Sequence, residues 1–77
     1  MNYTRRNILQ RIVDDLNSLL TDIDMVKDEE QDAYDNMPEG LQYSERGETM
    51  QENIDTLESI YDDMQNIIDN IEEVIRN

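Results

Sequence analysis

The apolar residues of this chain recur in two long heptad patterns, and the only proline and both glycines lie between or next to them. Such spacing places one apolar stripe along one face of an α-helix. The chain is therefore predicted to be all-α, with helices over 4–34 and 44–76. The stripe of the first helix is Leu9, Ile12, Leu16, Leu19, Ile23 and Val26, and its phase continues through Glu30, Ala33 and Met37. The stripe of the second helix is Met50, Ile54, Leu57, Tyr61, Met64, Ile68, Ile71 and Ile75.

The segment between the two patterns, 35–43, is predicted to be the bend of a hairpin. Pro38 cannot continue a helix, and Gly40 is conformationally free. Ser44 is suited to cap the second helix, because its side chain can accept a hydrogen bond from a free backbone N–H at the helix start. We therefore expect one helical-hairpin domain over 1–77, an antiparallel two-helix coiled coil.

The register of the hairpin is predicted by pairing residues whose numbers sum to 80, which centres the bend on Gly40. This choice sets the apolar stripe of one helix against that of the other throughout. It also places Ala33 opposite Gly47, where two small residues would let the helix backbones approach closely. The alternative is that Gly47 only frays the first turn of the second helix.

Further apolar residues flank the two stripes where the chain termini meet. A two-helix hairpin buries one stripe of each helix, and this barely offsets an ordering entropy of about 1.5 kcal/mol per residue. We expect the flanking residues to be covered in a homodimer that closes a four-helix bundle, with a partner protein on the same surface as the alternative. The residues predicted for this interface are Ile8, Val13, Leu20, Ile60, Ile67 and Val74.

Charge is segregated along the chain. The formal net charge is −14, and an acidic segment, residues 14–63, holds 17 acids against Lys27 and Arg46. The terminal segments, 1–13 and 64–77, together carry +1. Direct binding of nucleic acid is not expected, since phosphates require cations, and a basic protein surface is the natural complement.

Two interpretations of the acidic segment remain open. One is a charge decoy that occupies the nucleic-acid-binding surface of another protein, and the other is a surface that only confers solubility on a structural or assembly protein. The acids predicted to contact a basic partner are Asp28, Glu29, Asp32, Asp35, Glu45, Glu48 and Glu52.

Catalysis and metal binding are not predicted, and no cofactor is expected. The chain lacks cysteine and histidine, which removes thiolate ligands and the usual general base. Asp28, Glu30, Asp32 and Glu39 match the positions of ligands in an EF-hand calcium loop. However, Ala33 stands where the loop needs glycine, and a loop here would interrupt the first helix.

The sequence also lacks the signals of membrane insertion and export. No apolar run approaches the roughly 20 residues that a membrane-spanning helix needs. The N-terminal stretch lacks the apolar core of a signal peptide. A cytoplasmic location without a membrane partner is therefore expected.

The run NMPEGLQYSERGETMQENIDTLESI combines an asparagine–apolar–proline–glutamate bend, Leu-Gln, Ser-Glu-Arg-Gly-Glu and an acidic helix rich in isoleucine and leucine. Over about residues 35–60 it resembles small acidic proteins encoded by bacteriophages and prophages of Gram-positive bacteria. That family has no settled activity, so the resemblance transfers no functional residues. It implies a phage accessory protein acting in the host cell cytoplasm, a setting in which small acidic proteins often block host nucleic-acid enzymes or defence systems.

Overall fold

The computed structural model describes residues 1–77 and contains three helices and no strands: α1 (Tyr3–Asp35), α2 (Glu39–Gln42) and α3 (Glu45–Arg76). The long helices α1 and α3 pack side by side in opposite directions, and the molecule measures 58 × 15 × 12 Å. The all-α prediction is confirmed, and each long helix begins and ends within one residue of its predicted limits. The short helix α2, inside the predicted bend, was not anticipated.

Both long helices begin at a side-chain cap. The Asn2 carboxamide oxygen accepts a hydrogen bond from the backbone N–H of Arg5 at 2.8 Å, and the Ser44 hydroxyl accepts one from Gly47. The ends of α3 also suit the helix dipole, with Glu45 in the first turn and Arg76 in the last. The last turn of α1 has no basic residue, so its C-terminal end lacks this stabilisation.

Hydrogen bonds between glutamine and aspartate side chains, four residues apart, run along both long helices. Pairs of this kind each stabilise a helix by about 0.2–0.5 kcal/mol. They take the place of ion pairs in this chain, which has a single salt bridge, Lys27 to Asp24 at 3.3 Å. The four bonds are Gln10–Asp14 (3.1 Å), Gln31–Asp35 (2.9 Å), Gln51–Asp55 (3.2 Å) and Gln65–Asp69 (3.3 Å).

The apolar core lies between α1 and α3, and it is small. Four apolar residues are buried: Val13, Leu20, Ile54 and Ile68. All eight residues of the stripe predicted for α3 are buried or half-buried, so this prediction is confirmed. Within the core, Val13, Leu20 and Ile68 form one cluster.

The stripe predicted for α1 is wrong in every second position. Leu9, Leu16 and Ile23 do face α3, but three other predicted members, Ile12, Leu19 and Val26, are 36%, 53% and 49% exposed. Val13 and Leu20, which were assigned to a dimer interface, are 1% and 4% exposed and belong to the core instead.

The cause is that α1 carries two overlapping heptad rows, either of which completes a stripe with Leu9, Leu16 and Ile23. Neighbouring residues differ by 100° around a helix, so choosing one row turns the other outward. The row that faces inward runs from Val13 and Leu20 into Lys27 and Tyr34, both half-buried. If the row of Ile12, Leu19 and Val26 faced inward, Ala33 would be the next inward residue near the bend. In the structure the larger Tyr34 packs there instead.

The register is shifted by about one helical turn from the prediction. Val13 and Leu20 lie two turns apart on α1, about 10.5 Å, so Ile68 inserts between them. The predicted register had set Ile68 at the level of Ile12. As a result, the first two turns of α1 extend beyond the end of α3, and Tyr3 there is 80% exposed.

The bend is held by close backbone packing. Gly47 is buried, and a side chain there would overlap the backbone carbonyl groups of Leu41 and Gln42 at the end of α2. The prediction that Gly47 permits a close approach is therefore right in kind, but its neighbour is α2 and not the exposed Ala33. The Gln42 side chain also donates a hydrogen bond to the backbone carbonyl of Tyr34 at 2.9 Å.

Candidate interaction surfaces

The observed burial divides the hairpin into two opposite faces. A groove on one face is lined by five apolar residues and one acid: Leu19, Asp22, Ile23 and Val26 from α1, and Leu57 and Met64 from α3. In an antiparallel pair, the two residue rows that flank the same groove lie on the same face. On α1 the row that flanks this groove contains Leu19 and Val26. On α3 the flanking row lies three residues after Leu57 and Met64 and contains Ile60 and Ile67.

We define the apolar face by the exposed residues of these two rows and their neighbour Ile8. Each is between 36% and 53% exposed, so together they present several hundred Å² of apolar surface, the upper range for a monomeric protein. The seven residues of this face are more numerous than the four buried apolar residues of the core. Its members are Ile8, Ile12, Leu19 and Val26 on α1 and Ile60, Ile67 and Val74 on α3.

The predicted interface residues fall on both sides of this boundary. Ile8, Ile60, Ile67 and Val74 lie on the apolar face, exposed as an interface requires. Val13 and Leu20 do not, because they pack inside the hairpin. On α1 the apolar face contains Ile12, Leu19 and Val26 instead, which were predicted to lie in the core. The seven-residue spacing of those three is the signal by which they could have been recognised as an alternative row.

The opposite face is polar and rich in carboxylates. The glutamine–aspartate pairs lie along it, and a shallow depression between Gln10, Glu72 and Arg76 marks its end near the termini. No apolar row flanks the core on this side. The hairpin is thus apolar on one broad face and hydrophilic on the other.

The seven acids predicted to contact a partner are all exposed, and none takes part in an ion pair. They do not share one face. By heptad position, Asp28, Asp35 and Glu48 lie on the polar face, whereas Glu29 borders the apolar face. The other three, Asp32, Glu45 and Glu52, lie along the outer edges of the two helices. The end of the hairpin that contains these seven acids and the bend, called the bend end below, is therefore negatively charged on every side.

Lys27 is the one cation of α1 in the acidic segment, and it occupies an inward position. The hydrogen bond of its ammonium to Asp24 raises the pKa of Lys27 above its ordinary value of 10.5, and the charges of Asp28 and Glu58 act in the same direction. Desolvation opposes this shift. Asp24 and Glu58, which the sequence analysis did not single out, thus hold a positive charge at the seam between α1 and α3.

The residues considered for a calcium loop lie in a different conformation. Asp28, Glu30 and Asp32 belong to the uninterrupted helix α1, while Glu39 starts α2. No group of three or more aspartate or glutamate side chains is arranged to hold a metal ion. Separately, none of the helices combines the length and apolar character that crossing a bilayer demands.

Comparison with known proteins found no matching family model, no matching curated protein and no matching solved structure. The resemblance to phage accessory proteins over residues 35–60 therefore stays a prediction.

Proposed function

We propose that this protein is a non-catalytic interaction module, an inhibitor of the phage accessory type that acts in the host cell cytoplasm. Its acidic bend end occupies the basic, nucleic-acid-binding surface of a host protein as a charge decoy. The observation that carries the proposal is the uncompensated charge: the seven predicted acids are all exposed, and the single ion pair of the chain, Lys27–Asp24, involves none of them.

The magnitude of the charge supports a decoy. The chain carries −14 along a length of 58 Å. Two copies side by side would carry −28 over a similar length, or one charge per roughly 2 Å, close to the one per about 1.7 Å of duplex DNA. A basic groove that neutralises phosphates would therefore meet a comparable line of charge.

The proposal includes a homodimer formed through the apolar face, which completes a four-helix bundle. A hairpin with four buried apolar residues has little core to offset the entropy of ordering 77 residues. Covering the apolar face against a second copy supplies the missing burial. The acids on the polar face at the bend end, Asp28, Asp35 and Glu48, stay free to contact the basic partner.

A structural or assembly protein is the second candidate, and the apolar face favours it. In that case the face recruits a component of a larger complex, and the acids serve solubility alone. Salt distinguishes the two candidates, because charge-mediated binding weakens steeply as ionic strength rises, whereas apolar binding does not.

The test is affinity capture from a bacterial lysate, read by mass spectrometry, with three forms of the protein. The bend variant has the seven predicted acids changed to asparagine or glutamine. A matched control has seven exposed acids elsewhere changed in the same way: Asp14, Asp15, Asp55, Asp62, Asp63, Asp69 and Glu73. Removing seven negative charges from −14 leaves each variant at −7, so only the location of the charge differs.

We expect the native form and the matched control to capture a nucleic-acid-binding protein that the bend variant loses and that added duplex DNA releases. Capture of the same proteins by all three forms would contradict the decoy. A partner that is lost only when Ile60 and Ile67 are changed to aspartate would support the assembly function instead.

A further inference from the structure

We infer that a second copy of this chain covers the apolar face in the antiparallel orientation, with the termini of each hairpin over the acidic segment of the other. The inference rests on the proposed self-association and does not depend on the proposed acidic docking. It assigns a face, an orientation and a charged contact between the two copies.

The apolar face is self-complementary. On α1, Ile12 and Val26 are each seven residues from Leu19, and on α3, Ile60 and Val74 are each seven residues from Ile67. Because Ile68 inserts between Val13 and Leu20, Ile67 lies within about a turn of the level of Leu19. Consider a two-fold axis that passes through this level, lies in the plane of the interface and is perpendicular to both helices. It places each apolar row against the same row of the second copy.

In that arrangement Leu19 and Ile67 meet their own equivalents at the centre of the interface. Ile12 lies over the partner's Val26, and Ile60 lies over the partner's Val74. Such a contact is isologous, the usual form of a two-fold dimer. A parallel orientation, with the axis along the hairpin, also matches the rows, because it sets α1 over the partner's α3. Shape alone therefore leaves two orientations.

Charge decides between them. The acidic segment carries a net −15, whereas the terminal segments together carry +1. The parallel orientation lays the two acidic segments side by side, and juxtaposed like charges destabilise an interface. The antiparallel orientation lays each acidic segment over near-neutral terminal segments and puts the two bends at opposite ends.

Arg5 supplies a specific attraction in the antiparallel orientation. It lies seven residues before Ile12, in the same row, and lines a depression with Ile8 and Leu9. This part of α1 extends beyond the end of its own α3, and the Arg5 side chain is exposed. Across the two-fold axis it lies at the level of the partner's Ala33, one helical turn from the partner's Glu29, an acid that borders the apolar face.

The orientation is measured by the distance between spin labels at the bend. The chain has no cysteine, and Gly40 has open space around its α-carbon, so Gly40→Cys accepts a single nitroxide. Gly40 lies 21 residues from Leu19. At 1.5 Å per residue on each side of the axis, we expect labels about 60 Å apart by pulsed electron paramagnetic resonance. Helices packed 8–10 Å apart in the parallel orientation would give less than about 30 Å.

Sedimentation velocity on the native protein separates the two levels of the proposal. A dimer with the short label distance would overturn the orientation while keeping the self-association. A monomer up to about 100 μM would overturn both, and would leave the acidic docking to be tested on its own. A dimer with the long distance is the expected result.

Matched substitutions test the face and the charged contact. Leu19→Asp is expected to abolish the dimer, whereas Met25→Asp, which changes an equally exposed residue on the outer side of α1, is expected to leave it intact. Arg5→Glu should raise the dimer dissociation constant about tenfold or more. Arg11→Glu, the same charge change on the outer side, should raise it less than about threefold. An acid at position 5 suits the helix start, so loss of helix is not the cause. Equal effects of both arginine changes would overturn the contact.

Discussion

The two ends of the hairpin are held together by different means. Near the termini, Val13, Leu20 and Ile68 form an apolar cluster with half-buried neighbours such as Leu16 and Met64. Towards the bend, the inward positions include the half-buried Lys27 and Glu30, and Ile54 is the one buried apolar side chain.

Other interactions replace apolar packing at the bend end. These are the buried Gly47 against the α2 backbone, the bond from Gln42 to Tyr34, and the ion pair of Lys27. Apolar packing and negative charge are therefore concentrated at opposite ends of the hairpin. A packed end can support a charged end whose own packing is weak.

The largest expected effect comes from truncating the packed end. Ile68→Ala removes a side chain that is 1% exposed and should cost about 3 kcal/mol in free energy of unfolding, within the usual range for core isoleucine. Its neighbour Ile67 is 52% exposed, so Ile67→Ala should cost much less within one hairpin. Thermal unfolding followed by circular dichroism at low protein concentration measures both. Equal costs would mean that the core is not where the fold places it.

The bend end is tested by its two glycines. Gly47→Ala should destabilise the protein by about 1–3 kcal/mol, because the added methyl group overlaps the backbone of α2. Gly40→Ala meets open space in α2 and has no positive φ angle, so it should be neutral or stabilise by up to about 1 kcal/mol. Chemical denaturation of the two variants gives the comparison. A harmless Gly47→Ala would show that the bend tolerates a different packing.

Added salt should raise the thermal stability of the hairpin, because most of its charge repulsion lies in the acidic segment. The acidic segment repels itself, and added salt screens that repulsion. We expect 0.5 M NaCl to raise the melting temperature by a few degrees, equivalent to about 1 kcal/mol for a domain of this size. The seven-acid bend variant should gain about half as much or less. A fall in the native melting temperature would indicate that attractive ion pairs dominate.

The smallest expected effect concerns the proton on Lys27. Its folded-state pKa is raised above 10.5, so the folded chain holds this proton more tightly than the unfolded chain does. The resulting stability is fully present below about pH 10.5, the ordinary value that applies to the unfolded chain, and is lost as the pH rises through the raised folded value. Native protein should therefore lose more stability between pH 9 and pH 11.5 than Lys27→Met, which keeps the same tyrosines. Parallel losses in urea denaturation would contradict the role of Asp24.

The two long helices, their limits and the inward face of α3 follow from the sequence alone. Local signals suffice for these features: side-chain caps at Asn2 and Ser44 start the helices, and Pro38 ends the first pattern. The inward apolar row of α3 continues one heptad further towards the bend than the alternative row of Ile60 and Ile67. The charge segregation is also a property of the sequence alone. None of these requires knowledge of what lies across the seam.

The rotation of α1 about its axis and its position along α3 depend on packing between the two helices. Heptad spacing is satisfied equally by the row of Ile12 and Leu19 and by the row of Val13 and Leu20, so the period cannot choose between them. The choice depends on what fits against α3 and the bend, where Tyr34 packs and Ala33 does not. The same packing set the register and turned a different apolar row, and with it the apolar face, toward the outside of the hairpin.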